Sequence, residues 1–434
     1  MMTSKYVFLF IYFCLGLVFV LGSTSCQSQK RNSILILAFD RLPSDAVTCN
    51  DDRMIENSGF ATLCKESIRF THSYTTSLQP AAAMASLLTG QYPYKHELHR
   101  SFDRISDQSQ LISQVAQAEK YRTSFFSGSP HILKKTGLSK YFDVFDDSSP
   151  LTQRNYFKDF KLQTNDFFEW YNEDPQPFLS VIYNSELEFT NPSDGNSLEK
   201  LDEKLSTFFE KMKSEKLWGT TTVIVVGLNG VNTFQRLNET AFQNLHSENT
   251  QVVTMIKLPR LKGDEGIYWK NDTPIQLADL GRTLPYFLKN NPSNKITVDN
   301  EKFPVTHLWT LLTEKNSAIP ALRPLLIEAP NTWTKKLSEA QFAILQNHEL
   351  YIDTQKPGIF STLSDRMEST NIYEEKLQNF EKIKLDLDEI RRKTQIQPIS
   401  ITPRNMNINA TDRLISLNMS FENIWGLSFR NEAH

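Results

Sequence analysis

Ser33-Ile34-Leu35-Ile36-Leu37-Ala38-Phe39 is an uninterrupted apolar run that ends on Asp40. A strand that is apolar at every position leaves no face for water. It therefore reads as a central strand of a parallel sheet covered on both sides. Pro177–Tyr183 reads as another buried strand and Thr220–Val226 as a β-branched strand. Between them, Leu198, Leu201, Leu205, Phe208, Phe209 and Met212 recur at helical spacing with Glu and Lys opposite, which predicts an amphipathic helix lying on the sheet. Leu111, Ile112, Val115 and Ala116 predict a second helix, and Tyr121–Gly128 a further strand. Strands alternating with helices predict an α/β fold, a mainly parallel sheet with helices on both faces. Open sheets of this kind bind ligands just beyond the carboxyl ends of their strands. Asp40 and Arg41 stand at that position.

A second stretch, Ser77-Leu78-Gln79-Pro80-Ala81-Ala82-Ala83-Met84-Ala85-Ser86-Leu87-Leu88-Thr89-Gly90, predicts a turn and a short helix. Proline is tolerated in the first turn, alanine and leucine propagate the helix, and Gly90 suits a left-handed cap. Nothing from Pro80 to Leu88 is charged, so the helix is expected to be buried. Its free N–H groups could face an anion.

The chain has 434 residues, of which 39% are hydrophobic, enough for a sizeable core and against global disorder. A net charge of −3 with mixed signs gives no footprint for nucleic acid. Lys5, an apolar run from Tyr6 to Leu21 and the small residues up to Cys26 predict a secretory signal over residues 1–26. The run is short of the ~20 residues of a permanent membrane helix. Cys26 resembles the cysteine of a bacterial lipoprotein box. Lipidation at Cys26, plain cleavage and an uncleaved anchor all stay open; each places the folded part outside the cytoplasm, in the periplasm or at the outer membrane of a bacterium. Cys49 and Cys64 could form a disulfide in that compartment or remain two thiols.

Ala85-Ser86-Leu87-Leu88-Thr89-Gly90, followed by Gln91-Tyr92-Pro93, resembles the sulfatase family of the alkaline phosphatase superfamily. Further segments resemble it in order: Asp40-Arg41-Leu42-Pro43-Ser44-Asp45, Leu63 to Tyr74, Ser129-Pro130-His131, Gly227-Leu228-Asn229-Gly230, Glu248 to Pro259, Ala278 to Leu284 and Thr362 to Asn371. The resemblance spans about residues 32 to 390. It implies a sulfatase-like α/β domain over 32–300, a smaller C-terminal α+β subdomain over 301–392 and a tail over 393–434. In the last part, Ala340–Leu345 and Glu349–Asp353 read as a hairpin, and Tyr373 to Arg392 as a charged helix.

Enzymes of this family hydrolyse sulfate or phosphate esters with a divalent cation, a side-chain nucleophile and basic groups that clamp developing charge. Residue by residue, the resemblance implies that this equipment is degenerate. Pro80 stands at the nucleophile and has no attacking atom; Ser77 and Thr76 nearby are weak substitutes. Met84 replaces the neighbouring arginine, Ser129 one active-site lysine and Phe242 the other. His131 keeps the histidine of its motif, as a catalytic group or as a structurally satisfied one. Of the metal ligands, Asp40 and Asn229 remain, while Arg41 and Leu228 replace carboxylates. Asp40 could equally be a strand-end aspartate bonded to backbone N–H groups, and Asn229 a turn residue. Arg41 either pairs with Asp40 or Asp45 in place of the ion or turns into solvent. The expectation is a pseudoenzyme with no catalytic residue and no cofactor, serving as a binding or scaffold protein of the cell envelope. Its partners would be an anionic glycan, a lipid head group or an envelope protein, with the membrane reached through Cys26. The competing expectation is an active sulfuric- or phosphoric-ester hydrolase with a rearranged site and a bound calcium ion.

Overall fold

The computed structural model describes residues 31–49, 58–101, 103–129, 131–148, 157–189, 196–231, 244–260, 268–289, 301–315, 317, 323–330, 340–354 and 357–393. Residues 1–26 (read from the sequence as a signal ending at Cys26), Phe242 and the tail beyond 393 lie outside them. The strands in chain order are β1 (Ser33–Phe39), β2 (Ile68–Phe70), β3 (Ser73–Tyr74), β4 (Arg122–Ser127), β5 (Val144–Asp146), β6 (Phe178–Asn184), β7 (Thr221–Gly227), β8 (Thr254–Lys257), β9 (Trp269–Asn271), β10 (Ile275–Gln276), β11 (Leu325–Ala329), β12 (Gln341–Gln346), β13 (Glu349–Asp353) and β14 (Gly358–Ser361). The helices named below are α1 (Gly59–Glu66), α2 (Pro80–Thr89), α3 (Ile112–Ala118), α4 (Phe160–Glu173), α5 (Asn196–Ser214), α6 (Leu277–Leu288) and α7 (Glu381–Lys393).

Eight strands form the main sheet in the order β5-β4-β6-β1-β7-β8-β2-β9. Neighbours run parallel except at β8, which is antiparallel to β7 and β2. β1 lies between β6 and β7 and is buried at every position, as its apolar run demands. Successive side chains of a strand point to opposite faces. Accordingly Ile34, Ile36 and Ala38 pack with α2, α3 and α6, whereas Leu35, Leu37 and Phe39 pack with α1, α4 and α5. Both faces of the sheet are covered, and the expected α/β class is the observed one.

Helix α2 is buried from Pro80 to Leu88, and Gly90 closes it at φ 66° with its N–H donated to the Ser86 carbonyl. It packs backbone to backbone on α6. A methyl group placed on Gly281 would come within 2.6 Å of the carbonyl oxygens of both Leu87 and Ser86.

The C-terminal part is an antiparallel sheet, β11-β12-β13-β14, with α7 packed on it through Leu387 and Ile390. The β12–β13 hairpin turns on Asn347 and His348, both at positive φ, as a tight two-residue turn requires. The single charged helix expected from Tyr373 to Arg392 is instead broken. A short turn at Tyr373–Lys376 and a 3-10 turn at Leu377–Asn379 precede α7. The break turns Phe380 into the core, 5.3 Å from the ring of Tyr351. β11 also reaches the main domain. Leu78 N–H donates to the Glu328 carbonyl and Glu328 N–H to the Thr76 carbonyl, each at 3.0 Å, so the C-terminal sheet holds the turn that precedes α2.

Cys49 and Cys64 form a disulfide. Among the described residues, no helix is long and apolar enough to cross a membrane.

Beneath α2, His96 is fully buried, accepts the Leu98 N–H on Nδ1 at 3.2 Å and lies 3.1 Å from Ser86 Oγ through Nε2. Burial pushes its pKa down from 6.5 to about 3, with the neighbouring His99 adding to the effect. The unfolded chain therefore binds a proton there that the native state refuses. This contribution to stability is complete above pH 6.5 and is lost as pH falls toward 3. At pH 5 the loss is about 2 kcal/mol. His99 has the opposite sign. Burial alone would lower its pKa, but Glu328, 2.6 Å from its Nδ1, raises it, so its contribution is fully present below pH 6.5 and fades as pH rises through its folded pKa. Denaturant titration at pH 7.5 and pH 5 is expected to show about 2 kcal/mol more acid sensitivity in the parent protein than in His96→Gln.

Candidate functional site

Because β4, β6 and β1 are adjacent and parallel, their carboxyl ends lie side by side. Asp40 follows β1, His131 lies just beyond β4 and Glu188 just beyond β6. The three side chains offer one ligand atom each, all within 4.8 Å of one another, a set that could hold a metal ion. His131 Nε2 is 2.8 Å from Glu188 Oε2. Asp40 is fully buried. The Tyr183 hydroxyl donates to its Oδ2, and its Oδ1 has no hydrogen-bond partner. The structure thus gives Asp40 a tyrosine partner rather than backbone N–H groups.

Charge in this cluster is strongly coupled. Burial, and then the neighbouring Glu188, hold the Asp40 carboxyl well above the usual carboxylate range, against the attraction of His131 and the Tyr183 hydrogen bond. For Glu188, burial raises the carboxyl, but His131 overcomes it by charge and hydrogen bond, with help from Arg41, and the net direction is down. Burial and the two carboxylates push the Tyr183 phenol well above its ordinary value.

Arg41 is half-buried with φ 51°, and its backbone N–H donates to Asn229 Oδ1 at 2.7 Å. Its positive charge lowers the pKa of both Asp40 and Glu188, a smaller influence than burial. Asn229 also accepts the Leu42 N–H on its backbone carbonyl, so it ties the loop after β1 to the end of β7. Leu228 is fully buried in the apolar layer with Pro80's neighbours Ala81 and Met84. Pro80 opens α2 and is buried. Ser129 Oγ accepts the His131 N–H at 3.3 Å and so helps place the imidazole. Ser77 is fully buried, and its Oγ accepts the Gln79 N–H at 3.2 Å. Thr76 Oγ1 is buried without a partner.

The cation that the fold family implies needs several oxygen ligands. At the position inherited from that family the residues present do not fit it. Leu228 is packed in hydrocarbon, Arg41 brings a positive charge, and Asn229 Oδ1 is engaged by a backbone N–H. Asp40 is the one carboxylate common to that set and to the cluster with His131 and Glu188. Sequence reasoning misses Glu188. The rule that singles out Asp40, polar residues just past a parallel strand, applies equally to Ser185-Glu186-Leu187-Glu188 after β6.

Residues 31–186 match the protein-family model named Sulfatase. No curated protein matches the sequence. Solved structures are similar at low identity. The phosphonate monoester hydrolase of Agrobacterium radiobacter is 13% identical with a TM-score of 0.61, covering 84% of this chain and 96% of that one. A Bacteroides fragilis protein described as a sulfatase is 14% identical with a TM-score of 0.63, covering 86% and 98%. A 2-O GAG sulfatase is 12% identical with a TM-score of 0.62, covering 84% and 92%. The sheet order, the buried helix after Pro80 and these matches together give the conclusion: the chain has the fold seen in sulfatase structures, and its residues 31–186 match the sulfatase family model.

Proposed function

We propose that this is an exported sulfatase-like protein whose ester-hydrolysing centre has been dismantled and which acts by binding, as a scaffold or receptor component of a bacterial cell envelope. The observation that carries the reading is Pro80. It begins a buried helix; the sequence resemblance sets it at the family's nucleophile, and an imino ring has no atom that can attack sulfur or phosphorus. Leu228 and Arg41 support it, since neither side chain can ligate a hard cation. Lipidation at Cys26 would tether the protein to the membrane. Its ligand class is an anionic glycan, a lipid head group or another envelope protein.

The competing reading is a sulfuric- or phosphoric-ester hydrolase using Asp40, Ser77, His131 and Asn229. It is favoured by the His131–Glu188 pair, since a carboxylate beside an imidazole can orient a general base. Turnover of aryl sulfates and aryl phosphates by the purified protein separates the two. The proposal expects release no faster than the buffer blank, with or without added divalent ions. Turnover that Asp40→Ala abolishes would replace it with the hydrolase reading.

A further inference from the structure

We infer that Asp40, His131 and Glu188 form a zinc-binding site that shares Asp40 with the cation position of the sulfatase fold but takes His131 and Glu188 as its other ligands, whether or not the protein hydrolyses any ester. Two independent observations converge. Three donors from three parallel strand ends meet within 4.8 Å. One of them, Asp40 Oδ1, is buried and has no hydrogen-bond partner. A carboxylate oxygen removed from water and left without a partner is costly, and an ion bound there satisfies it.

The geometry suits a small ion. Zinc lies about 2.1 Å from nitrogen and oxygen donors, which spaces tetrahedral donors about 3.4 Å apart. His131 and Glu188, now 2.8 Å apart, need to open by about half an ångström, and Asp40 to close in from within the 4.8 Å limit. The Tyr183 hydroxyl holds Asp40 Oδ2, which leaves Oδ1 as the oxygen without a partner. An outer partner of this kind is what orients metal ligands in established sites.

The donor set also selects the ion. Calcium takes six to eight oxygens and magnesium a near-octahedral oxygen shell, and neither favours an imidazole. One nitrogen and two carboxylates suit zinc and leave a fourth position open. Arg41, close enough to act on both carboxylates, offsets part of their charge and weakens the site relative to one without it.

The test uses the purified protein, stripped with a chelator, equilibrated with zinc sulfate and analysed by calorimetry and elemental analysis. The expected result is about one zinc ion per chain at this site. Its affinity should fall by at least about 10–100-fold in both Glu188→Gln and His131→Gln. Circular dichroism and the melting midpoint confirm that each variant is folded. The wild-type protein alone supplies a second reading, because cobalt(II) in the same site gives the visible bands of a nitrogen–oxygen centre and zinc raises the melting midpoint. Three outcomes overturn the inference: no zinc uptake by wild type, uptake equal in both folded variants, or calcium displacing zinc at equal concentration. Should both variants unfold, cobalt bands in the wild type support the site, and their absence overturns it.

Discussion

Gly281→Ala is expected to destabilise the protein by more than about 3 kcal/mol, the upper end of what overpacking costs, and to leave little soluble protein. The reason is local. A Cβ at 281 would meet the Leu87 carbonyl at 2.6 Å, the Ser86 carbonyl at 2.6 Å and the Gly90 N–H at 2.8 Å. All three are backbone atoms of α2 or its cap, so no side chain can swing away. Relief requires α2 and α6 to separate, and α2 is the helix that begins at Pro80 and lines the apolar layer under β1. Soluble yield and thermal melting of Gly281→Ala beside Gly219→Ala check this directly. A methyl group at 219 would have nothing within 4 Å, so that position should tolerate the change.

Arg323→Ala is expected to cost about 3–5 kcal/mol. Arg323 pairs with Asp279 through Nη2 and donates to the Pro304 carbonyl through Nη1 at 2.9 Å. Both side chains are buried, at 5% and 0% exposure. Asp279 also accepts the N–H groups of Gln276 at 2.8 Å and Thr306 at 3.0 Å, which caps α6 and anchors the segment leading to the C-terminal sheet. Truncating the arginine leaves a buried carboxylate with two hydrogen bonds and no cation. Burial already raises the Asp279 pKa, and Arg323 is the largest opposing influence. Without it the native state takes up a proton more readily than the unfolded chain. Arg323→Ala should therefore lose less stability at pH 5 than at pH 7.5, relative to the parent. Urea melts of the single variant and of Arg323→Ala/Asp279→Asn measure the pair. The double variant should recover part of the loss, because it no longer buries an unpaired charge.

What can be read from the chain follows from locality. The apolar run at Ser33–Phe39 carries its own message, since a strand apolar at every position can only be covered on both faces. Pro80 and Gly90 bracket α2 with residues whose backbone preferences need no tertiary partner. Asp40 and His131 are visible as polar groups past strand ends. Glu188 lies past a strand end too, but nothing in the sequence separates it from Glu186, because its role depends on β6 lying next to β1 with Phe39 opposite Asn184. In sequence it is one acidic residue among several near a helix, and only the strand order brings it to Asp40. β11 escapes notice for a related reason. Its pairing with β12 and its bonds to Thr76 and Leu78 are all long-range, and prolines at 320, 324 and 330 obscure the run. The break before α7 is hidden by a charge pattern that continues across it, while Phe380 answers to a ring on another element.

If the cleft no longer holds an attacking side chain, no covalent intermediate can form in it. Intact-mass spectrometry tests this most directly, on zinc- or calcium-equilibrated protein incubated at high concentration with activated sulfate and phosphate esters. The expected result is an unmodified mass and no ester cleavage within the lifetime of the blank reaction. A sulfated or phosphorylated protein species, mapped to Ser77 or Thr76 and absent in Asp40→Ala, would contradict it.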